Sequence, residues 1–187
     1  GEDDVANDAM RQSLILVVAM GLVISALGFV FAGNILNFMG AETDVLPLGI
    51  AYIEIIAAGG VFMVISMSFT AALRGAGDTV SPMKANMIAN ITNVVGNYLL
   101  IYGKFGFPQL GVAGAALATS IARVIAFILL LRVVISGNSH LHLTGPFRIN
   151  RQLLERIVRV GMPSAIEQVV LRAGQLTYVK IVAGFGT

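Results

Sequence analysis

Long apolar stretches separated by short polar segments dominate this chain, and their lengths predict helices that cross a bilayer. The hydrocarbon core is about 30 Å thick, so a helix rising 1.5 Å per residue needs about 20 largely apolar residues to cross it. Five stretches fit this requirement, at residues 14–38, 46–73, 83–102, 111–135 and 161–184. The fifth is the weakest because it contains three charged residues, Glu167, Arg172 and Lys180. The pattern predicts an all-α, polytopic membrane helix bundle.

Composition supports the same class. Hydrophobic residues make up 57% of the 187 positions and charged residues 12%, with a mean hydropathy of +0.86. This is too little polar surface to cover a soluble globule of that size. The first apolar run is too long for a signal peptide, and further runs follow it. The absence of cysteine from the sequence excludes disulfides and thiolate metal sites.

Basic residues collect on one side of the predicted arrangement. If the five helices alternate in direction, that side holds Arg11, Arg74, Lys84, Arg132, Arg148, Arg151, Arg156 and Arg159. The 40–47 loop on the other side has two acids and no base, and Lys104 is the single loop base there. Cytoplasmic loops carry an excess of Lys and Arg. We therefore expect a multi-pass protein of the inner cell membrane, with the Arg74–Asp78 turn and the 137–160 connector in the cytoplasm.

The 137–160 connector is the longest, and we expect it to separate residues 1–136, with four spans, from residues 161–187, with the first span of a second bundle. Asn150 is suited to cap a helix in its second part, which is amphipathic. The apolar face holds Leu153, Leu154, Ile157 and Val158, and the polar face holds Arg151, Gln152, Glu155, Arg156 and Arg159. Two interpretations remain open. This helix lies on an anionic leaflet, or it is an ordinary loop helix whose bases follow the charge bias of cytoplasmic loops.

Four asparagines form a polar stripe on the third predicted span. Asn86, Asn90, Asn93 and Asn97 recur at spacings of four, three and four, which confines them to a strip roughly 60° wide on a helix. An amide that meets only lipid costs several kcal/mol. The strip should therefore face other helices, where the amides form hydrogen bonds, or a wet cavity seen by a solute; the two roles can coexist.

The fourth span combines small residues with one charge. Gly114, Ala118, Ala122 and Ala126 repeat every four residues and predict a seam against which a partner helix packs closely. Arg123 lies near the middle of this span, where an unpaired guanidinium is costly, so we expect it to face the bundle interior. Glu54 on the second span is a candidate partner because it lies at a similar depth. Alternatively, Glu54 lies at the membrane interface.

Glu167 lies about one and a half turns after Gly161-Met162-Pro163, inside the fifth span. A dry, unpaired carboxylate can bind and release a proton or a small cation, so Glu167 is a candidate for ion coupling. Arg172 is about 140° away around the helix and is a poor partner. The alternative is a salt bridge between Glu167 and a helix outside this chain.

The sequence contains no catalytic constellation, so we do not expect an enzyme. His140 and His142 have no companion ligands, and we predict no metal site. The glycine pair Gly75 and Gly77 lacks the pattern of a nucleotide loop, and no basic stripe interleaved with aromatics indicates nucleic-acid binding. A polytopic membrane enzyme would need acids or histidines clustered at one membrane face, which are not seen here.

Several segments resemble the multidrug and toxic compound extrusion (MATE) family in order and spacing. They are LRGAGDT at 73–79 followed by Pro82-Met83, NITN at 90–93 with NYLLI at 97–101, GVAGAALAT at 111–119, and GMPSA at 161–165. The resemblance implies part of a twelve-helix, two-lobe transporter, covering its third to seventh helices. Arg74 and Asp78 then fix the cytoplasmic turn. The remaining helices of the full-length transporter and the lipid bilayer are the implied partners.

The resemblance also implies a function. Such transporters export organic cations and drugs by alternating access, in exchange for sodium ions or protons, and need no cofactor. The family's seventh-helix acid lies near Glu167 but is not matched to its position. A lipid-linked sugar flippase of the same superfamily is the alternative. It would place cationic residues such as Arg123 and Arg172 in the cavity to meet a pyrophosphate.

Overall fold

The computed structural model describes residues 2–136 and 150–184, with side chains at 7–136 and 150–179. It contains five α-helices. They are α1 Glu2–Phe38, α2 Leu46–Gly75, α3 Val80–Tyr102, α4 Gly111–Ile135 and α5 Arg151–Gly184. A single 3₁₀ turn, Lys104–Gly106, lies between α3 and α4. The all-α prediction is confirmed, and His140 and His142 lie outside the described residues.

Three of the predicted helices, α2, α3 and α4, match within a few residues, and the largest differences are at the starts of α1 and α5. Helix α1 begins at Glu2 rather than at residue 14, because its polar first turns continue the helix before the apolar run. Helix α5 begins at Arg151 and runs through Pro163 without ending. The amphipathic segment and the fifth predicted span are therefore one helix, and the boundary expected after residue 160 does not coincide with a helix end. Asn150 caps this helix as predicted, since its Oδ1 accepts the backbone N–H of Leu153 at 3.2 Å.

Three helices in the described part are long and apolar enough to cross a membrane. They are Asn7–Phe38, Leu46–Gly75 and Gly111–Ile135. The asparagines of α3 and the charged residues of α5 reduce the hydropathy of those two helices. Large apolar side chains such as Val30 on α1 and Val94 on α3 remain about 70% exposed, at 72% and 68%. Such surfaces suit contact with lipid.

The packing order of the helices differs from their order in the chain. Helix α2 packs against α1 and also against α4, while α3 packs mainly against α4 and hardly contacts α2. The spatial order is therefore α1, α2, α4, α3, and a gap separates α2 from α3. Helix α5 contacts α1 alone among the described helices.

A buried apolar cluster joins the first four helices at the end that carries the α2–α3 turn. Its members are Met10, Leu14, Phe69, Leu73, Ala85, Leu130 and Val134. They come from the start of α1, the end of α2, the start of α3 and the end of α4, so these helices alternate in direction as predicted. Phe127 lies between two rings of α2, with centroid distances of 5.3 Å to Phe62 and 6.3 Å to Phe69.

The turn between α2 and α3 is fixed by its own hydrogen bonds. The backbone N–H of Asp78 donates to Leu73 O at 2.9 Å, and that of Gly77 donates to Arg74 O at 3.1 Å. This is a Schellman helix end, which requires a left-handed residue, and Gly77 has φ +87°. Asp78 Oδ1 then accepts the backbone N–H of Ser81 at 2.9 Å. The turn therefore closes α2 and caps α3 within a few residues.

Small residues let α3 and α4 approach closely. The four-residue spacing of small residues on α4 predicted a buried seam, and its members are all buried: Gly114, Ala118, Ala122 and Ala126. A Cβ at Gly114 would lie 2.5 Å from the backbone oxygen of Leu100 on α3. Close backbone approach gains dispersion contacts that lipid does not supply. This seam holds α3 against α4 and away from α2.

Candidate functional site: a cleft between α2 and α3

The gap between α2 and α3 is an open cleft of about 540 Å³, with α4 as its floor. Its polar lining residues are Ser66, Thr70, Arg74, Asn86, Asn90, Asn93, Thr119 and Arg123. Methionine and alanine side chains form the rest of the surface. The cleft thus combines apolar walls with a few convergent polar groups, which is the usual character of a small-molecule site.

A chain of side-chain hydrogen bonds runs from α3 to α4 beside the cleft. The amide nitrogen of Asn97 donates to Asn93 Oδ1 at 3.1 Å, and that of Asn93 donates to Thr119 Oγ1 at 3.1 Å. The Thr119 hydroxyl donates in turn to the backbone oxygen of Ala115 at 2.9 Å. Asn97 Oδ1 is buried and accepts no hydrogen bond from the described residues. The stripe therefore contributes both to helix packing and to a polar surface.

Asn86 and Asn90 belong to the cleft surface rather than to this hydrogen-bond chain. Both side chains are exposed and line the cleft together with Asn93. Ser66 and Thr70, one turn apart on α2, and Thr119 on α4 complete the polar lining. These three hydroxyl residues were not predicted from the sequence. The spacing of four between Ser66 and Thr70, which places both on one face of α2, was the available signal.

Arg123 is the charged residue at the floor of the cleft. It is the thirteenth residue of α4, about 18 Å from the start of that 25-residue helix. It also borders a smaller, mostly apolar pocket of about 260 Å³ between α1 and α2. A guanidinium at the centre of a spanning helix costs roughly 2.5–3.5 kcal/mol on insertion scales. The half-buried position beside an open cleft lowers that cost by admitting water or a ligand.

The expected ion pair between Arg123 and Glu54 is not formed. Among described residues, the ion pairs join Arg11 to Asp8 at 3.4 Å and Arg159 to Glu155 at 2.9 Å. The register between α2 and α4 explains this, because Ser120 lies against Gly59. Arg123 lies three residues after Ser120 and Glu54 five residues before Gly59, so the two charged residues are about 12 Å apart along the helix axes. Glu54 also points about 140° away from Gly59 around α2.

Two other charged candidates lie outside the cleft. Glu167 and Arg172 are exposed on α5, which contacts α1 and not α2, α3 or α4 in the described part of the chain. Arg172 Nη1 donates to Gln175 Oε1 at 3.0 Å within the same helix. Arg123 and Arg172 therefore do not line one cavity, as binding a pyrophosphate between them would require.

Arg74 and Asp78 lie at the turn that closes one end of the cleft. Arg74 lines the cleft and is exposed. Asp78 is held by Ser81, whose side chain and backbone N–H both bond the carboxylate and lower its pKa from the ordinary value. A carboxylate that accepts hydrogen bonds is favoured in its charged form. Asp78 therefore acts on the turn, and Arg74 reaches the cleft itself.

Curated relatives match nearly the whole chain. An uncharacterized transporter, YisQ, from Bacillus subtilis is 32% identical over 185 residues, covering 96% of this chain and 40% of the relative. A probable multidrug resistance protein NorM from Thermotoga maritima is 33% identical over 169 residues, covering 90% of this chain and 36% of the relative. The chain thus spans about two fifths of the length of these relatives. Both are named as transporting or resistance proteins, which agrees with the expectation that the chain is not an enzyme. Their names do not favour the flippase alternative.

Solved structures give the same result. An inward-facing multidrug resistance MATE family transporter of the MOP superfamily superposes with a TM-score of 0.78 at 27% identity, covering 89% of this chain and 37% of that one. An outward-facing structure of such a transporter gives 0.78 at 27% identity, covering 87% and 36%. The MatE family model matches residues 1–99. More than half of the chain therefore matches the family model, and the chain belongs to the MATE family of transporters.

Proposed function

We propose that this chain forms part of a secondary active transporter that exports organic cations and drugs in exchange for sodium ions or protons. The observation that carries the proposal is the cleft between α2 and α3, which has apolar walls and amide groups at the depth of the helix centres. Amphipathic organic molecules fit such a surface, because their apolar body is buried while a few polar groups set their orientation.

The comparison with two conformers supports alternating access as the mechanism. The described helices superpose equally well on an inward-facing and an outward-facing family structure. A similar arrangement of helices in both states supports motion between bundles rather than within this one. Rocking of one bundle against another around a central site is the usual mode of alternating access. We place the 137–160 connector between two such bundles.

Specific residues have proposed roles. Asn90, Asn93 and Asn97 are polar groups of the interior of the first bundle. Asn90 and Asn93 line the cleft, and Asn97 Oδ1 is a buried oxygen open to a donor or a small cation. Glu167 on α5 is the proposed ion-coupling acid. Cation binding to such an acid favours the conformer that releases the substrate outward. The Arg74–Asp78 turn and the connector face the cytoplasm of the inner membrane.

Transport by the full-length protein in sealed proteoliposomes tests this function. A fluorescent organic cation is loaded, and a sodium or a proton gradient is imposed. We expect one of the gradients to drive dye movement against its concentration gradient, and Glu167→Gln to reduce the driven component while leaving gradient-free equilibration unchanged. Dye movement indifferent to both gradients would contradict the antiport proposal. Arg172→Gln on the same helix is the matched control and should leave coupling intact.

A further inference from the structure

The charges of the cleft have one sign. Arg123 lies at its floor and Arg74 at its turn end, and none of the described residues that line it is Asp or Glu. Arg123 has no ion pair or hydrogen bond with any described residue. The expected partner, Glu54, is displaced along α2 and points elsewhere. The described cleft therefore presents unneutralised positive charge to whatever enters it.

The surroundings of Arg123 supply further hydrogen-bond donors. Thr119 is one turn away on the same face of α4, but its hydroxyl already donates to Ala115 O, so the available donors are amide groups. Asn86 and Asn90 line the same cleft, and their amide groups bond to no described residue. A guanidinium presents five donors in a planar fork that matches a carboxylate or a phosphate. Amide N–H groups around it can bond the remaining oxygen lone pairs.

The described cleft offers no electrostatic attraction to an organic cation. In a partly dry site, the repulsion between two positive charges is stronger than in water, and so is the attraction of a guanidinium for an anion. The exposed Arg74 at one end of the cleft and the half-buried Arg123 at its floor extend the positive potential along the cleft. The electrostatics thus oppose a simple cation here and favour a negatively charged group.

We infer that this cleft binds the carboxylate or phosphate group of a transported molecule, with Arg123 as its anchoring cation. The inference rests on the proposed export function and narrows its substrates to amphiphilic organic cations and drugs that also carry an anionic group. A zwitterion places its anionic group on Arg123 and its apolar body against the methionine and alanine walls. Its cationic end is then left for other parts of the full-length transporter.

The test uses two dyes that differ in one carboxylate, a zwitterionic rhodamine and its methyl ester. Binding of each to the purified full-length protein is measured by fluorescence anisotropy. Because a charge-assisted hydrogen bond contributes about 1.5–3 kcal/mol, we expect Arg123→Gln to raise the Kd for the carboxylate dye about tenfold or more. The Kd for the ester should not rise, because the ester is a cation that Arg123 repels and does not bind. Arg123→Lys should retain part of the preference, since it keeps the charge and loses the fork.

The control is Arg132→Gln, which removes an exposed arginine from the last turn of α4, outside the cleft. It should change neither Kd. Equal losses for both dyes in Arg123→Gln, with a lowered melting temperature, would show that Arg123 holds the fold through an acid elsewhere in the full-length protein. That result would overturn the inference.

Two further measurements distinguish the inference from its alternatives. If adding phosphatidylglycerol to zwitterionic micelles abolishes the carboxylate preference, the anion at Arg123 is a lipid headgroup and the substrate assignment is wrong. If neither ion gradient drives dye transport but the binding preference persists, the export proposal fails while the anion site stands. A preference that is lost in Arg123→Gln and unaffected by phosphatidylglycerol supports the inference.

Discussion

Asn93 on α3 donates its side-chain amide to Thr119 Oγ1 on α4 at 3.1 Å. This bond connects the two helices beside the cleft floor. It also orients the next hydrogen bond, in which the Thr119 hydroxyl donates to Ala115 O. Interhelical hydrogen bonds in membrane proteins contribute about 0.6 kcal/mol on average and at most about 1.7. The Asn93–Thr119 pair is thus a modest stabilising contact and a strong orienting one.

The Asn93–Thr119 bond predicts a measurable coupling. Thr119→Val keeps the shape of the side chain and removes the acceptor, so it should destabilise the full-length protein by about 0.5–1.5 kcal/mol. Unfolding in mixed detergent measures this. In a double-mutant cycle with Asn93→Ala, the two effects should be less than additive. Strict additivity would show that the bond does not form. Thr92→Val on the exposed face of α3, whose hydroxyl bonds only its own helix at Ile88 O, is the control.

Close packing at Gly114 makes a second prediction. A Cβ there would lie 2.5 Å from Leu100 O, a backbone atom that cannot move aside. Gly114→Ala should therefore force α3 and α4 apart and cost about 1–3 kcal/mol, in the range of overpacked cores. The matched control is Gly174→Ala on α5, where no atom lies within 4 Å of the new Cβ. That change should be neutral or stabilising because alanine favours helix. Similar melting temperatures for the two variants would contradict the packing argument.

The turn glycines give a third prediction, on stability. Gly77 has φ +87° at the Schellman position, while Gly75 is helical, and a methyl group added at either position would meet open space. Gly77→Ala should destabilise the protein by about 1–2 kcal/mol, because an L-residue is strained in the left-handed region. Gly75→Ala, only two residues earlier, should be neutral or stabilising. Equal effects from the two substitutions, measured by thermal unfolding, would exclude the left-handed turn.

The sequence predicted the helices better than their arrangement. Apolar run length located α2, α3 and α4 within a few residues because a bilayer fixes how long such runs must be. The polar first turns of α1 and the continuity of α5 through Pro163 were not predicted, since hydropathy carries no signal for helix outside the apolar run.

The cleft was not predicted, because the sequence patterns do not reveal the register between helices or which helices pack together. Counting residues from the loops placed Glu54 and Arg123 at similar depths, but the α2–α4 register is set by contacts such as Ser120 Oγ with Ile55 O at 3.0 Å. Likewise, chain order suggests that α3 lies beside α2. The small-residue seam of α4 holds α3 instead, and that choice of partner creates the gap. The asparagine stripe was predictable from spacing, whereas the wall opposite it required the packing.

Asp78 provides the last prediction, on pH. Hydrogen bonds from the Ser81 side chain and backbone lower the pKa of its carboxyl from the ordinary value of 3.8. Because the pKa is lower in the folded protein than in the unfolded chain, Asp78 stabilises the fold above about pH 4, and this contribution disappears as the pH falls through the lowered value. The melting temperature of the native sequence should therefore exceed that of Asp78→Asn by a constant amount at neutral pH, and the difference should shrink on acidification below about pH 4. Ser81→Ala removes the largest cause of the shift, so it should reduce the difference at neutral pH. A difference that stays the same from neutral pH down to about pH 3 would show that the charge of Asp78 does not support the turn.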